Sequence, residues 1–348
     1  MRCRISICTL ALASAAVLCA CGSDEPEGTG AAGPGSQSSS SGSGGSGEGG
    51  AGASGANGGT GQGGGGAGSG GVPVDCDSLP AAPIEPELVT EVFDDSEDIA
   101  FDGKGHIVGK QGAAIVQVDA AETVTDLANL ADQVYGLRYH VDGNLIAALP
   151  QQGRLVRISS TGEVTDWVSG LSGPNGIYPD LDGNVWVTEF GGGKVTRVGM
   201  DGQKNPVASG TSANAPNGIV LDASKSILFY TEYQEGKIQR VDTDVADAMP
   251  VEVVTILDAA LDGLVLDACG NLYAVDQGNS RVYRLKLDAE GVLMGAPELL
   301  ATLPQNVANA QFGSGDGFDP QKLYLAGVPG AVYSIDAGVP GAPVPTPP

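Results

Sequence analysis

The chain has 348 residues, with 42 Asp and Glu against 17 Lys and Arg and a formal net charge of −25. That balance argues against a nucleic-acid partner, whose phosphates need a basic face, and against a polybasic membrane-binding surface. With only 2 histidines in the chain, a His base or a Ser-His triad has little to draw on.

Residues 1–20 read as a processing segment, because Arg2 and Arg4 lead an apolar run from Ile5 to Leu18. The tetrad Leu18-Cys19-Ala20-Cys21 resembles a bacterial lipobox, in which Cys21 becomes the lipidated N-terminus. Cleavage by an ordinary signal peptidase is the alternative. From Gly22 to Gly71 the residues are almost all Gly, Ser and Ala, which bury no core, so residues 21–75 read as a flexible tether. For about 50 residues its root-mean-square reach is on the order of 40 Å, enough to stand a head off a membrane. The expected location is the bacterial cell envelope, at the outer membrane or cell surface. Of 6 cysteines, Cys3, Cys8 and Cys19 leave with the leader and Cys21 carries lipid. Cys76 and Cys269 remain, in an exported protein where pairing is permitted. A bridge between them would staple the incoming chain to the folded head; two free thiols are the other outcome.

Glu87-Leu88-Val89-Thr90-Glu91-Val92-Phe93 is a strand without a unit of its own. A repeat begins after it. Aligned on the residue before each short strand, Glu97, Tyr135, Asn175, Asn217, Asp262 and Asn309 mark six units at intervals of 38, 40, 42, 45 and 47 residues. Five residues after the marker stands Asp102, His140, Asp180, Asp222 or Asp267, and eight after it Gly105, Gly143, Gly183 or Gly270, with Lys225 the exception. Asp followed by Gly between apolar runs is a hairpin turn, the Asp bonding backbone N–H groups and the Gly supplying positive φ. Then come a second apolar run (Val185-Trp186-Val187-Thr188), a third that alternates basic with apolar (Lys237-Ile238-Gln239-Arg240-Val241), and a weaker fourth. Such a period with several short strands predicts an all-β fold, a six-bladed β-propeller over residues 76–338. The strand at Glu87 is expected to close the last blade; a sandwich or linear solenoid is the alternative. Residues 339–348 form a Pro-rich, irregular tail.

Equivalent positions of a propeller face one axis, so Glu97, Asn175, Asn217 and Asp262 are expected to converge, with Tyr135 and Asn309 in the same ring. Two carboxylates and two amides are hard oxygen ligands of the kind that hold Ca²⁺. Two carboxylates in one narrow channel need raised pKa values or a cation between them. Glu189, Glu232 and Asp276, which end second strands, read as polar caps of hairpins.

The stretch from Gly176-Ile177 to Asp182-Gly183-Asn184-Val185-Trp186-Val187-Thr188-Glu189 resembles a repeat of the streptogramin lyases, which use a catalytic His. Paraoxonase-type lactonases also rely on histidines, and no matching residue exists here. A closer resemblance is to the senescence-marker-protein/gluconolactonase family of six-bladed propellers. It is carried by Pro216-Asn217-Gly218-Ile219, Leu261-Asp262-Gly263-Leu264, Ser96-Glu97 with Phe101-Asp102, and Asn309-Ala310-Gln311-Phe312-Gly313. The resemblance implies a divalent cation held by Glu97, Asn217 and Asp262, with Asp262 also the catalytic base and Asn175 a substrate contact; Tyr135 would wall the pocket. Ca²⁺ is the first choice over Zn²⁺ or Mn²⁺. The chain departs from the family pattern at Gly173, where an Arg often stands, and at Glu97-Asp98-Ile99, usually Glu-Gly-Pro. Two functions follow as expectations: a metal-dependent lactonase on a lipid anchor, or a binding propeller with a structural metal. The partners expected are a small molecule such as a lactone and a membrane reached through the lipid, with no nucleic acid and no second copy of the chain.

Overall fold

The computed structural model describes residues 74–94 and 96–347. The leader, Cys21 and the tether up to residue 73 lie outside them. Six four-stranded antiparallel sheets form the blades of a propeller. The innermost strands are Ala100–Phe101, Leu137–Tyr139, Pro174–Pro179, Pro216–Asp222, Leu261–Leu266 and Asn309–Phe312. Blades one to five add the next three strands in chain order. Blade six takes its outer strand from the N-terminus: Glu87–Thr90 pairs with Val332–Asp336, in the register Glu87 to Ser334 and Leu88 to Tyr333. The ring is closed by an early segment on the last blade, as the isolated strand at Glu87 anticipates.

Burial explains the strand patterns. Second strands such as Val185–Glu189 and Leu272–Asp276 are buried along their whole length, so they read as continuous apolar runs. Third strands alternate, as in Arg154–Ile158, and outer strands such as Val124–Asn129 are largely exposed. That exposure is why the fourth run of each unit is weak. The apolar core lies between successive blades. Leu137, Leu145 and Val156 meet Val108 and Ile115 between blades one and two, and Phe101, Phe318 and Tyr324 stack edge-on between blades six and one. Each sheet is therefore stable only against its neighbours.

The repeated Asp residues form the turns. Asp180 Oδ1 accepts from the N–H groups of Asp182 (3.1 Å) and Asn184 (2.8 Å), and Asp267 Oδ1 from those of Cys269 and Asn271 (both 2.9 Å). Gly183 (φ +85°) and Gly270 (φ +80°) take the left-handed conformation these turns need; in blade four, where Lys225 stands, Ser226 takes it instead (φ +54°). These turns define one face of the disc, and the markers, at the other end of the innermost strands, define the opposite face.

The incoming chain crosses blade five before it reaches the clasp strand. Cys76 and Cys269 are joined in a disulfide with a Cα separation of 5.7 Å. Arg284 Nη2 donates to the Pro80 carbonyl (2.9 Å) and Ile84 N–H to the Leu300 carbonyl (2.7 Å). The tail carries no strand but is held against the turn face, with Ala268 N–H donating to Pro340 (2.8 Å) and Ala342 N–H to Leu266 (2.9 Å). Gly341 lies so close to Phe312 that a Cβ would come 2.6 Å from its ring. Among the described residues no helix is long and apolar enough to cross a membrane.

Candidate metal centre

The markers stand at or just before the starts of the innermost strands, and in blades two to five the residue after each is a glycine that decides how closely the next blade can approach. A Cβ on Gly136 would sit 2.5 Å from the Asn175 carbonyl oxygen, one on Gly176 2.2 Å from that of Asn217, and one on Gly218 2.0 Å from that of Asp262. On Gly263 it would lie 2.4 Å from Asn309 Oδ1. Glycine is required here by close approach of backbone, not by positive φ. The markers therefore run side by side around the axis in chain order. Thr188 Oγ donates to the Asn217 carbonyl (2.5 Å) and Thr231 Oγ to that of Asp262 (3.0 Å), fixing blade three to four and four to five at this level.

Four of these side chains are wholly or partly buried. Asn175, Asn217 and Asp262 are 4, 3 and 1 % exposed, and Glu97 is half-buried. Asn175 Oδ1, Asn217 Oδ1 and both Asp262 carboxylate oxygens accept no hydrogen bond from the protein. An unsatisfied buried acceptor costs about 1–3 kcal/mol, so native proteins rarely leave several together. Burial first, then the Glu97 charge and more weakly that of Asp98, push the Asp262 carboxyl well above the usual carboxylate range; the Asn217 amide, close by but outside hydrogen-bond geometry, offsets part of this. The donor set fits a hard cation bound by oxygen. It contains only two carboxylates, and among the described residues no group of three or more His, Cys, Asp or Glu is placed to hold an ion.

The other repeat-equivalent acids are satisfied. Glu189 accepts from Ser172 N–H (2.7 Å) and Thr196 Oγ (2.6 Å), Glu232 from Asn214 N–H (3.0 Å), and Asp276 from Ala260 N–H (3.0 Å). They clip the connection entering each blade to the strand beside it, consistent with polar caps. Both histidines lie at turns on the opposite face. His106 Nδ1 is 2.6 Å from Asp102, and fully buried His140 places Nε2 2.9 Å from the Gly183 carbonyl.

Two groups near the ring are not apparent from the marker pattern. Beneath it, buried Asp98 binds Arg138 across blades one and two and accepts from Leu137 N–H (2.9 Å); burial pushes its carboxyl up while Arg138 pulls it back. Above it stand Phe190, Tyr233 and Gln277, each the first residue after a second strand. They recur 15 or 16 residues after Asn175, Asn217 and Asp262, a spacing that marks them only once the face is known.

No protein-family model matches the chain, and no curated protein matches it. Solved structures do. A gluconolactonase from Xanthomonas campestris superposes with a TM-score of 0.61 at 18% identity, over 78% of this chain and 97% of that one. A calcium-binding regucalcin from Agrobacterium tumefaciens gives 0.61 at 17%, over 76% and 98%. Virginiamycin B lyase from Staphylococcus aureus, in a catalytically inactive His-to-Ala form, gives 0.54 at 17%, over 69% and 80%. At these identities the likeness is one of fold alone.

Proposed function

We propose that this propeller is a divalent-metal-dependent hydrolase of the lactonase type, displayed from the bacterial cell envelope on a lipid carried by Cys21. The observation that carries the reading is the set of buried oxygens on Asn175, Asn217 and Asp262 that accept no hydrogen bond from the protein. The propeller fold shared with a gluconolactonase and a regucalcin supports it. Glu97, Asn217 and Asp262 would hold the ion, Ca²⁺ before Zn²⁺ or Mn²⁺, because the set is all oxygen. Bound there, a divalent cation polarises a carbonyl and steadies negative charge developing on its oxygen. The chain's own groups supply the rest. Asp262 takes a proton from the attacking water, Asn175 orients the substrate's oxygen atoms, and Tyr135 walls the pocket.

Calorimetry on chelator-stripped protein tests the centre. One divalent ion is expected to bind per chain, and at a hundredfold excess over Kd to add about 2.7 kcal/mol of stability, raising Tm by roughly 5–10 °C. Glu97→Gln should remove most of that rise. No binding heat from Ca²⁺, Zn²⁺ or Mn²⁺, together with a Glu97→Gln protein as stable as the parent in metal, would rule the site out. Metal-saturated protein that opens no lactone in a broad panel favours a binding propeller with a structural metal. For the anchor, a fatty-acid label should enter the protein in bacterial cells and be lost in Cys21→Ser; equal labelling of both would refute lipidation at that residue.

A further inference from the structure

At the end of the axis opposite the marker ring, the innermost strands finish at Phe101, Tyr139, Pro179, Asp222, Leu266 and Phe312. Residues 340–347 cross this end. Gly341 forms an antiparallel bridge to Asp267 of blade five, flanked by the bonds of Ala268 N–H to the Pro340 carbonyl (2.8 Å) and of Ala342 N–H to that of Leu266 (2.9 Å). Farther along, Thr346 reaches blade one, where a Cβ on Gly103 would lie 3.4 Å from its Cβ. Between these points Ala342, Val344 and Pro345 line cavities together with Arg138, Tyr178, Gln311 and Phe312, which come from blades two, three and six. Pro345 is buried although Val344 and Thr346 on either side of it are exposed, so it is the residue that the groove takes in. Two polar groups of the groove are already engaged: Arg138 Nη1 donates to Asp98 and to the Leu137 carbonyl, and Gln311 Nε2 to the Ile99 carbonyl.

The sequence of this segment suits it to the place. Proline at 343, 345 and 347 fixes φ near −65° and removes the N–H, and each intervening residue precedes a proline, which disfavours the helical region. From 342 to 347 every residue is therefore either a proline or held extended by the next one. A segment so restricted loses little entropy on binding, and aromatic-lined grooves are its usual acceptors. Residues 337–347 carry no charge, so the turn-face acids Asp102, Asp222 and Asp267 do not repel them. Beyond Ala342, no hydrogen bond among the described residues holds the segment, which leaves packing to do so.

We propose that the turn-face end of the axis is a recognition groove for an extended, uncharged proline-rich segment, filled in cis by residues 340–347 of the same chain. The segment is an exchangeable plug. Tethered to its own groove at an effective concentration on the order of mM, it excludes the same sequence offered from solution; lifted off, it leaves a groove that binds that sequence. The groove lies at the far end of the axis from the marker ring, and it stands or falls independently of the lactonase reading.

A dye-labelled peptide of residues 340–347 with both ends blocked, read by fluorescence anisotropy, tests the groove. The full chain should not bind it at micromolar concentrations. Gly341→Val puts a side chain where a Cβ would come 2.6 Å from the Phe312 ring, so it should lift the segment off and bind the peptide at least about tenfold more tightly than the parent. A chain stopped at Val339, which keeps every strand, should do the same; a melting curve for each shows that it is folded. Adding Tyr178→Leu to Gly341→Val should weaken binding about tenfold, as should Pro343→Ala, Pro345→Ala and Pro347→Ala together in the peptide. If both folded variants fail to bind the peptide, or the alanine peptide binds as well as the proline one, the proposal is overturned. A full chain that binds the peptide as tightly as Gly341→Val overturns it too. Dimers of the full chain that separate when residues 340–348 are removed would seat the segment on a second copy and overturn filling in cis.

Discussion

Asp262→Asn is expected to lower the kcat for lactone hydrolysis by about 10²–10⁴, the usual loss when a general base is removed. The residue is 1 % exposed, and no protein donor satisfies either carboxylate oxygen. Asn fills nearly the same volume, so the blade-four to blade-five contact at Gly218 should survive. The substitution also removes a ligand charge, and the effect on the base is read only at saturating cation, with occupancy measured beside the rate. Loss of activity that added cation restores in full would make Asp262 a ligand and not the base. Undiminished kcat at every cation concentration would remove it from the reaction altogether.

Cys76→Ser combined with Cys269→Ser is expected to have the largest effect on stability. The bridge closes a separation of 193 residues, for which the chain-entropy argument gives about 5 kcal/mol, with measured losses often smaller. For a domain of this size that corresponds to a fall in Tm on the order of 10 °C. The clasp strand starts only eleven residues after Cys76. Without the bridge, its approach is held by the bonds of Pro80 and Ile84 to blade five and by the Lys322–Glu87 ion pair. Opening should therefore begin at blade six, and limited proteolysis should cut residues 77–86 before any other described segment. A Tm within about 2 °C of the parent, with that segment no more sensitive, would show that the clasp holds without the staple.

The repeat made much of this legible from the residues alone. Markers separated by 38 to 47 residues must take the same place in successive blades. Asn175, Asn217 and Asp262 therefore face one axis whatever the details of packing. The turn Asp residues and the alternation of the third strands followed from local chemistry, as did a stray strand at Glu87 needing a partner in the last blade.

The tertiary structure decided which polar groups are satisfied. Glu189, Glu232 and Asp276 are as regular in the repeat as Glu97 and Asp262, and their place at the ends of second strands reads as capping without showing which donors they meet. The difference lies in the N–H groups of Ser172, Asn214 and Ala260, which arrive from connections 16 to 18 residues away and occupy the first set. The ion pair of Asp98 with Arg138 and the edge-to-face contact of Phe190 with Tyr233 join different blades. The tail's hold on blade five likewise depends on where the completed ring leaves the carbonyl of Leu266. A local sequence specifies a strand and its turn. Whether a buried oxygen finds a donor depends on what the rest of the chain brings within 3 Å of it, and only the closed ring determines that.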